Sequence, residues 1–478
     1  MSPPGQNTRL CSTIPDSRQE LYGDLVEGED KTNVADLVDR YFHVSTMVHQ
    51  VLVVQPFIRY GMAAKKNTNP QLMLEESMAL VRTLGWKVVD YKCIGLASFK
   101  KSFLFGSGKL SELEDMVNTN QKITAVYVSM YQLTAPQRLE LENLFNVPVI
   151  DRYNLVLQIF FQHAQSRESK LQVALAEIPY LKNRLMVEHE YERGNKHSKD
   201  CLGEQFFQRK RFVLKQLEGG IKKRIEQLRG QREKLRSQRK EREVATVAVI
   251  GYTNCGKTSL IKAITGNVTM QPKDQLFATL DVTCHGTRLP TSNMEAVLID
   301  TVGFISDIPT PLIASFSSTL EDALYAEQLL HVVDYSNPDW EHQVAQVMAT
   351  LRRLKVPLEA MQRMVTVGNK IDKLPTKQWA EIKENGSLPI SATKGYGLDH
   401  LLGILEEKLI SGTGRLKVVM KVRPGGQEWD WLHKNSSVSK VEVWKEDSNY
   451  NLLTVVITGV QMEKFKAMFV RGKLKGGI

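Results

Sequence analysis

The 478 residues, 42% of them hydrophobic, suffice for three or four domains with cores of their own. A net charge of +10 points to an anionic partner, and no apolar run approaches a bilayer span, so stable membrane association is not expected. The five cysteines (Cys11, Cys93, Cys201, Cys255, Cys284) are odd in number, scattered and without C-x-x-C spacing, which fits a reducing compartment and argues against structural zinc.

Residues 1–44 read as a disordered acidic tail. Within 1–31, Asp16, Glu20, Asp24, Glu27, Glu29 and Asp30 outweigh Arg9, Arg18 and Lys31, among Pro, Ser and Gly. Transit peptides are Arg-rich and acid-poor, so either a leader precedes Met1 or the protein stays in the cytoplasm.

Residues 45–165 read as an amino-terminal α/β domain. Strand QVLVVQP, helix PQLMLEESMALVRTL, strand WKVVDYKC, helix KLSELEDMV, strand TAVYVS, helix APQRLELENLF and strand VPVID alternate, which predicts a parallel sheet flanked by helices. Phe105-Gly106-Ser107-Gly108-Lys109 invites a second phosphate-site reading. It lacks the four-residue arch of a phosphate loop and reads instead as a tight turn capping a helix, with an RNA phosphate contact as the functional alternative.

Residues 166–243 read as a basic helical hairpin linker. Leu171, Leu175, Ile178 and Leu185 form one apolar stripe, and Leu214, Leu217, Ile221, Ile225, Leu228 and Leu235 form another. Neither can be buried alone, so the segments should pair antiparallel around a projecting loop over 192–204. From Arg209 to Arg242 there are fourteen Lys or Arg and four Glu, an excess equal to the net charge of the whole chain. Concentrated on one helix, this charge predicts an RNA-facing surface rather than a merely solvated face.

Residues 244–410 read as a P-loop GTPase domain. The β-branched run Val244–Ile250 feeds Gly251, Tyr252, Thr253, Asn254, Cys255, Gly256, Lys257, Thr258 and Ser259, a GxxxxGK[ST] loop placed between a strand and a helix. Backbone N–H groups and the helix N-terminus suit β- and γ-phosphates, Lys257 neutralises phosphate charge, and Thr258 offers a hydroxyl to Mg²⁺. Asn254 can either hold K⁺ beside the phosphates or only shape the loop. About forty residues on, strand Ala296–Ile299 ends in Asp300-Thr301-Val302-Gly303. Asp300 can hold the Mg²⁺ shell and the Gly303 N–H can meet the γ-phosphate. A further strand ends in Asn369-Lys370-Ile371-Asp372, where the Asp372 carboxylate can accept from guanine N1–H and N2–H₂. Ser391, Ala392 and Thr393 fit the loop closing over the base. Phe304 stands where related switches carry a water-orienting glutamine, so hydrolysis by the isolated protein should be slow.

Residues 411–478 open on a Gly-rich joint and read as a small α+β domain of βαββα order. Trp429, Trp431 and Trp444 read as core rather than RNA-stacking residues. A docking or regulatory role is all that is expected of this part.

GYTNCGKTSL (251–260), LFATLDVT (276–283), DTVGFI (300–305) and the long segment 151–185 resemble the HflX family of translation-related GTPases, and the resemblance covers roughly 45–410. It makes 276–283 the first switch, so Thr279 is expected to complete the Mg²⁺ shell and, with Lys257 and Gly303, to serve hydrolysis. Where bacterial members carry a Gly-Pro-Gly-Glu-Thr-Gln run, this chain has Cys201-Leu202-Gly203-Glu204-Gln205-Phe206, which points to the eukaryotic mitochondrial branch. The resemblance implies a GTP/GDP- and Mg²⁺-dependent factor that binds rRNA and proteins of the large ribosomal subunit and splits, recycles or matures ribosomes, with hydrolysis stimulated by that subunit. The alternative is an RNA-binding assembly protein that uses GTP only as a conformational switch. No oligomer is indicated.

Overall fold

A computed structural model describes residues 21, 48–59, 69–99, 104–195, 201–241, 244–267, 270–272, 276–277, 282–305, 325–412 and 414–470. All of the acidic tail except Leu21 lies outside these residues. The chain divides near Leu228 into two compact units.

The first unit is built on β1 (Gln50–Ile58), α1 (Pro70–Thr83), β2 (Lys87–Leu96), α2 (Ser107–Thr119), β3 (Ala125–Val128), α3 (Ala135–Phe145), β4 (Val149–Asp151) and α4 (Arg152–His163). Its four strands are parallel, in the order β2-β1-β3-β4. Val51 to Val54 and Ala125 to Val128 are fully buried, as continuous apolar strands covered on both faces should be. α3 starts in a capping box, with the Thr134 side chain and the N3 residue Gln137 satisfying each other's backbone N–H groups, and ends at a left-handed Asn146. Gly106 is the N-cap of α2 with Phe105 buried behind it, and Lys109 pairs with Glu112 at 2.6 Å within the helix. The tight-turn reading of this stretch therefore describes its geometry.

At the sheet's carboxyl edge, Asp151 is fully buried and takes the Arg138 guanidinium at 2.5 Å, the Leu133 N–H at 3.1 Å and the Asn154 N–H at 2.8 Å. With both carboxylate oxygens engaged in a buried site, removing the Arg138 partner would cost roughly 3–5 kcal/mol. Tyr153 on α4 donates to the Ala176 carbonyl at 2.7 Å and stacks on Tyr180 at 5.6 Å, joining the sheet to α5 (Arg167–Asn195).

α5 pairs with α6 (Cys201–Glu241) through Leu171, Ala174, Ile178, Val213, Leu217 and Ile221, with Leu175, Ile225 and Leu228 at the margin. The antiparallel sense is fixed by Lys182 to Glu218 at 2.5 Å and His189 to Glu204 at 3.1 Å. Two expectations are corrected. The loop predicted over 192–204 is shorter, because α5 runs to Asn195 and α6 begins at Cys201. Leu235 is 53% exposed rather than part of the stripe, since α5 begins only at Arg167 and leaves the hairpin no partner for α6 beyond Leu228.

The second unit carries β5 (Ala245–Gly251), α7 (Lys257–Thr265), β6 (Thr283–Arg288), β7 (Glu295–Asp300), β8 (Gln328–Asp334), α8 (Trp340–Arg353), α9 (Leu358–Gln362), β9 (Val365–Asn369), α10 (Thr376–Glu384), β10 (Leu388–Pro389) and α11 (Leu398–Gly412). The sheet order is β10-β9-β8-β5-β7-β6, parallel except for β6 at the edge. Open sheets of this kind bind ligands beyond the carboxyl ends of their strands, where the motif residues stand.

The same unit ends in β11 (Arg415–Val422), α12 (Gln427–Asn435), β12 (Ser437–Val443), β13 (Asn451–Thr458) and α13 (Gly459–Phe465), an antiparallel sheet of order β11-β13-β12. Val422, Leu432, Leu453, Val455, Ile457 and Phe465 form its core. Trp429 and Trp431 pack against that core, as expected, but Trp444 does not belong to it. Val456 joins the GTPase core instead, and Arg415 pairs with Glu327 at 3.0 Å, tying the two parts together.

Candidate nucleotide site

β5 is wholly enclosed by β7 and β8, so its end is a rigid launching point for the loop 251–256. Gly256 takes φ +97°, a conformation open to glycine, and a Cβ there would collide with the Asn369 side chain. The loop is held from behind by Asn369, whose amide donates to the Cys255 carbonyl at 2.9 Å while its Oδ1 accepts the Ala392 N–H at 3.1 Å. Lys370 donates to the Asn254 carbonyl at 2.7 Å and pairs with Asp334 at 2.8 Å. Asn369, Lys370 and Ala392 thus brace the loop that the sequence assigned to phosphate. Burial pushes the Cys255 thiol up, so it remains a neutral packing group.

Lys257 is 6% exposed, and its ammonium lies along the loop, 2.8 Å from the Tyr252 carbonyl and 3.3 Å from that of Gly251. Such a held cation can meet a phosphate without first being desolvated. Thr258 donates to Asp300 Oδ2 at 2.7 Å, which brings the two expected Mg²⁺ ligands, one from α7 and one from the end of β7, to one point. Among the described residues no cluster of three or more His, Cys, Asp or Glu is placed to hold a metal. A cation here would draw on one carboxylate, one hydroxyl and phosphate oxygens, the coordination Mg²⁺ commonly takes.

The second switch begins against the phosphate loop. Thr253 N–H donates to the Phe304 carbonyl at 2.7 Å and Phe304 N–H to the Gly251 carbonyl at 3.1 Å. Thr301 donates to the Val249 carbonyl at 2.7 Å. Between them, a Cβ on Gly303 would sit 2.8 Å from Thr253 Cγ2 and 3.1 Å from the Lys257 ammonium, so only glycine passes here. Phe304 is 3% exposed, and its ring is a packing group. Thr279 lies outside the described residues, so its expected role has no geometry here.

On the base side, Ser391 donates to Asp372 Oδ1 at 2.5 Å and lies 3.3 Å from the Thr393 hydroxyl. Asp372 itself is exposed, with its carboxylate oriented by Ser391. Two relevant residues escape a motif-based reading. Asp334 closes β8 and anchors Lys370, and His331 on the same strand is buried, its pKa pushed down to about 4 by burial and by the Lys257 charge. The signal for both was the strand Gln328–Asp334, whose Leu329, Leu330, Val332 and Val333 mark it as buried and leave His331 and Asp334 as polar residues within it.

Comparison with known proteins gives three matching families. Residues 71–161 match the GTP-binding GTPase N-terminal family, 163–239 the GTP-binding GTPase middle region, and 246–370 the family described as 50S ribosome-binding GTPase. GTP-binding protein 6 of Homo sapiens is 38% identical over 88% of this chain and 81% of its own length. GTPase HflX of Magnetococcus marinus is 33% identical over 85% of this chain and 91% of its own. A GTP-binding protein of Sulfolobus solfataricus, solved with GDP, shares 22% identity over 76% of this chain and 99% of its own, with a TM-score of 0.39. Among the described residues no helix is long and apolar enough to cross a membrane. The chain belongs to the HflX GTPase family, and it binds and hydrolyses GTP.

Proposed function

We propose that this GTPase acts on ribosomes: its GTP-bound form binds rRNA and proteins of the large subunit, separates or matures ribosomes, and leaves after hydrolysis. The observation that carries the reading is the cation run on α6, where Lys215, Lys222, Lys223 and Arg224 stand exposed on a helix whose apolar side is already used by α5. Such a surface neutralises phosphodiesters and releases their counterions. The description of the matched GTPase family as 50S ribosome-binding supports the choice of RNA partner. The branch resemblance favours mitochondria.

In this reading Gly251 to Ser259 cradle the phosphates, Lys257 neutralises their charge, and Gly303 N–H meets the γ-phosphate. Thr258 and Asp300, with Thr279, hold Mg²⁺, which when bound supplies charge neutralisation across the β- and γ-oxygens. Asn369, Lys370, Asp372, Ser391, Ala392 and Thr393 form the base side. Asn254, at φ +60° in the loop, offers an oxygen for K⁺; turnover equal in K⁺ and Na⁺ buffers would remove that ion.

Incubating the full chain with monosomes and GTP, or a non-hydrolysable analogue, and sedimenting the mixture tests the function. Free subunits with both nucleotides, and none with GDP, are expected. Binding to subunits without any splitting would leave the assembly-protein reading.

A further inference from the structure

We propose that the open half of the C-terminal sheet's outer face, beyond Val456 and around Trp444 and Tyr450, binds single-stranded RNA. This surface is built from other elements than α6, and the proposal does not rest on the ribosomal reading.

The strand alternation defines the face. On β11, Val418, Met420 and Val422 turn to the helices and the core, which leaves Lys417, Val419 and Lys421 on the other side. On β13 the core takes Leu453, Val455 and Ile457, and Leu452 and Thr454 stand opposite Lys421 and Val419. The bulge at Ser439 resets β12, so Lys440 and Glu442 pair with Thr454 and Leu452 on this same face. Val456 on this face is taken by the GTPase core and both helices of the domain lie on the other side, so the open part runs from Val419 and Thr454 to the β12–β13 turn. Lys417, Val419, Lys421, Lys440 and Glu442 are all exposed.

Two aromatic rings stand at the end of this face, and neither serves the core. Trp444 and Tyr450 face each other edge-on at 6.4 Å where β12 turns into β13, whereas Trp429 and Trp431 pack with the core group that includes Phe465. The Lys421 ammonium is 3.0 Å from the Trp444 ring centre and 4.4 Å from that of Tyr450. The Arg423 guanidinium sits 5.1 Å over Tyr450, and its Nε donates to the Tyr450 hydroxyl at 3.1 Å. Two π-surfaces interleaved with cations on an open sheet are what single strands need: rings for unstacked bases, cations for the backbone between them. Stacking of a base outweighs an exposed cation–π contact, so Lys421 can yield its ring and move to a phosphate.

Charge selects the occupant. Lys417, Lys421, Arg423 and Lys440 stand against Glu442, which pairs with Lys440 at 2.5 Å, so the face is cationic overall. A duplex would engage the cations and leave the rings idle, whereas an unpaired strand engages both.

The test uses the full chain with Lys222, Lys223, Arg224 and Arg229 changed to Glu, so that α6 does not mask this face. Fluorescence anisotropy follows a labelled twelve-nucleotide oligouridylate, and ultraviolet crosslinks are located by mass spectrometry. Crosslinks at Trp444 or Tyr450 are expected. Trp444→Ala should weaken binding about tenfold at unchanged salt slope, Trp444→Phe should restore most of it, and Lys417→Glu with Lys421→Glu should flatten the slope by about 1.4. GTP affinity should stay unchanged throughout, which reports that the chain is folded. Unchanged affinity in Trp444→Ala, an equal loss in the Phe and Ala variants, or stronger capture of a polyglutamate peptide than of RNA would each overturn the proposal.

Discussion

Thr258 donates its hydroxyl to Asp300 Oδ2 at 2.7 Å, and this bond joins the first turn of α7 to the last residue of β7. One residue is held by a helix and the other by a strand of the same domain, so the distance between a hydroxyl and a carboxylate is set by the fold before any cation arrives. Preorganisation of this kind lowers the cost of assembling a Mg²⁺ shell.

Thr258→Ala and Asp300→Asn should therefore lose the Mg²⁺-dependent part of nucleotide affinity, on the order of tenfold to a hundredfold, or about 1.4–2.8 kcal/mol. Affinity in EDTA should change little. Titration of fluorescent GDP with and without Mg²⁺ reads the difference, and an equal loss in both buffers would assign the pair to folding instead.

Asp372 is oriented by Ser391 at 2.5 Å and exposed toward the base side. Asp372→Asn should lose GTP by about a hundredfold, on the order of 3 kcal/mol, because a donor then faces the guanine donors. The same variant should gain affinity for xanthosine triphosphate, which offers an acceptor at that edge. GTP binding at wild-type strength would remove the assignment.

The nucleotide site was legible because its parts are local. A loop of fixed length between a strand and a helix, and short motifs at strand ends, declare their chemistry in a few residues each. β8 carries no such motif. Its residues Gln328–Asp334 are buried throughout, and their role appears only when Asp334 reaches Lys370 across the sheet. The limits of the hairpin were misread for another reason. The polar stretch 192–204 was read as loop, yet α5 runs to Asn195 and α6 starts at Cys201, because a polar face does not by itself end a helix. Leu235 continues the periodicity in sequence, but burial needs a partner helix, and α5 begins too late to supply one. Trp444 and Trp431 look alike as residues; what separates them is that one follows β12 on the open side and the other stands on α12 against the core.

His331 should make the stability of the GTPase domain depend on pH. Its folded pKa is about 4, below the ordinary value near 6.5, first because it is buried and second because Lys257 is close. The unfolded chain binds the proton and the folded chain does not, so the contribution is complete above pH 6.5 and is lost as pH falls toward 4. Its size is about 3 kcal/mol. Urea midpoints at pH 7.5 and pH 5 should separate more for the wild type than for His331→Gln; parallel shifts in the two proteins would mean that other groups govern the slope.

Lys222, Lys223 and Arg224 are exposed on α6, with Arg229 partly so. Changing all four to Glu should weaken binding to large subunits and flatten its salt dependence, since fewer counterions leave per complex. Nucleotide affinity should be untouched, because none of the four belongs to the phosphate loop or the base-side motifs. Full ribosome affinity at moderate salt in this variant would make the run a solvated face.

The last prediction concerns rate. Phe304 occupies the position at which related switches orient the attacking water, and its buried ring has neither donor nor acceptor to offer. Its backbone is nonetheless fixed to the phosphate loop in both directions, through Thr253 at 2.7 Å and Gly251 at 3.1 Å. Phe304 is thus an anchor for chain geometry, and water must be positioned by something beyond it. Slow turnover by the free protein is the expected result, with nucleotide affinity intact, because Lys257, Thr258 and Asp300 are in place for the phosphates and only the water lacks a partner. A large subunit that orders the switches would position water and exclude bulk solvent, which should raise single-turnover hydrolysis by roughly tenfold or more. Phe304→Gln separates positioning from packing: if only a water-orienting group is missing, the free variant hydrolyses faster, and if the buried ring holds the switch in place, it binds GTP less well and gains no rate. Fast hydrolysis by the free wild-type chain, unchanged on adding purified large subunits, would sink the partner-activated mechanism while leaving GTP binding as it stands.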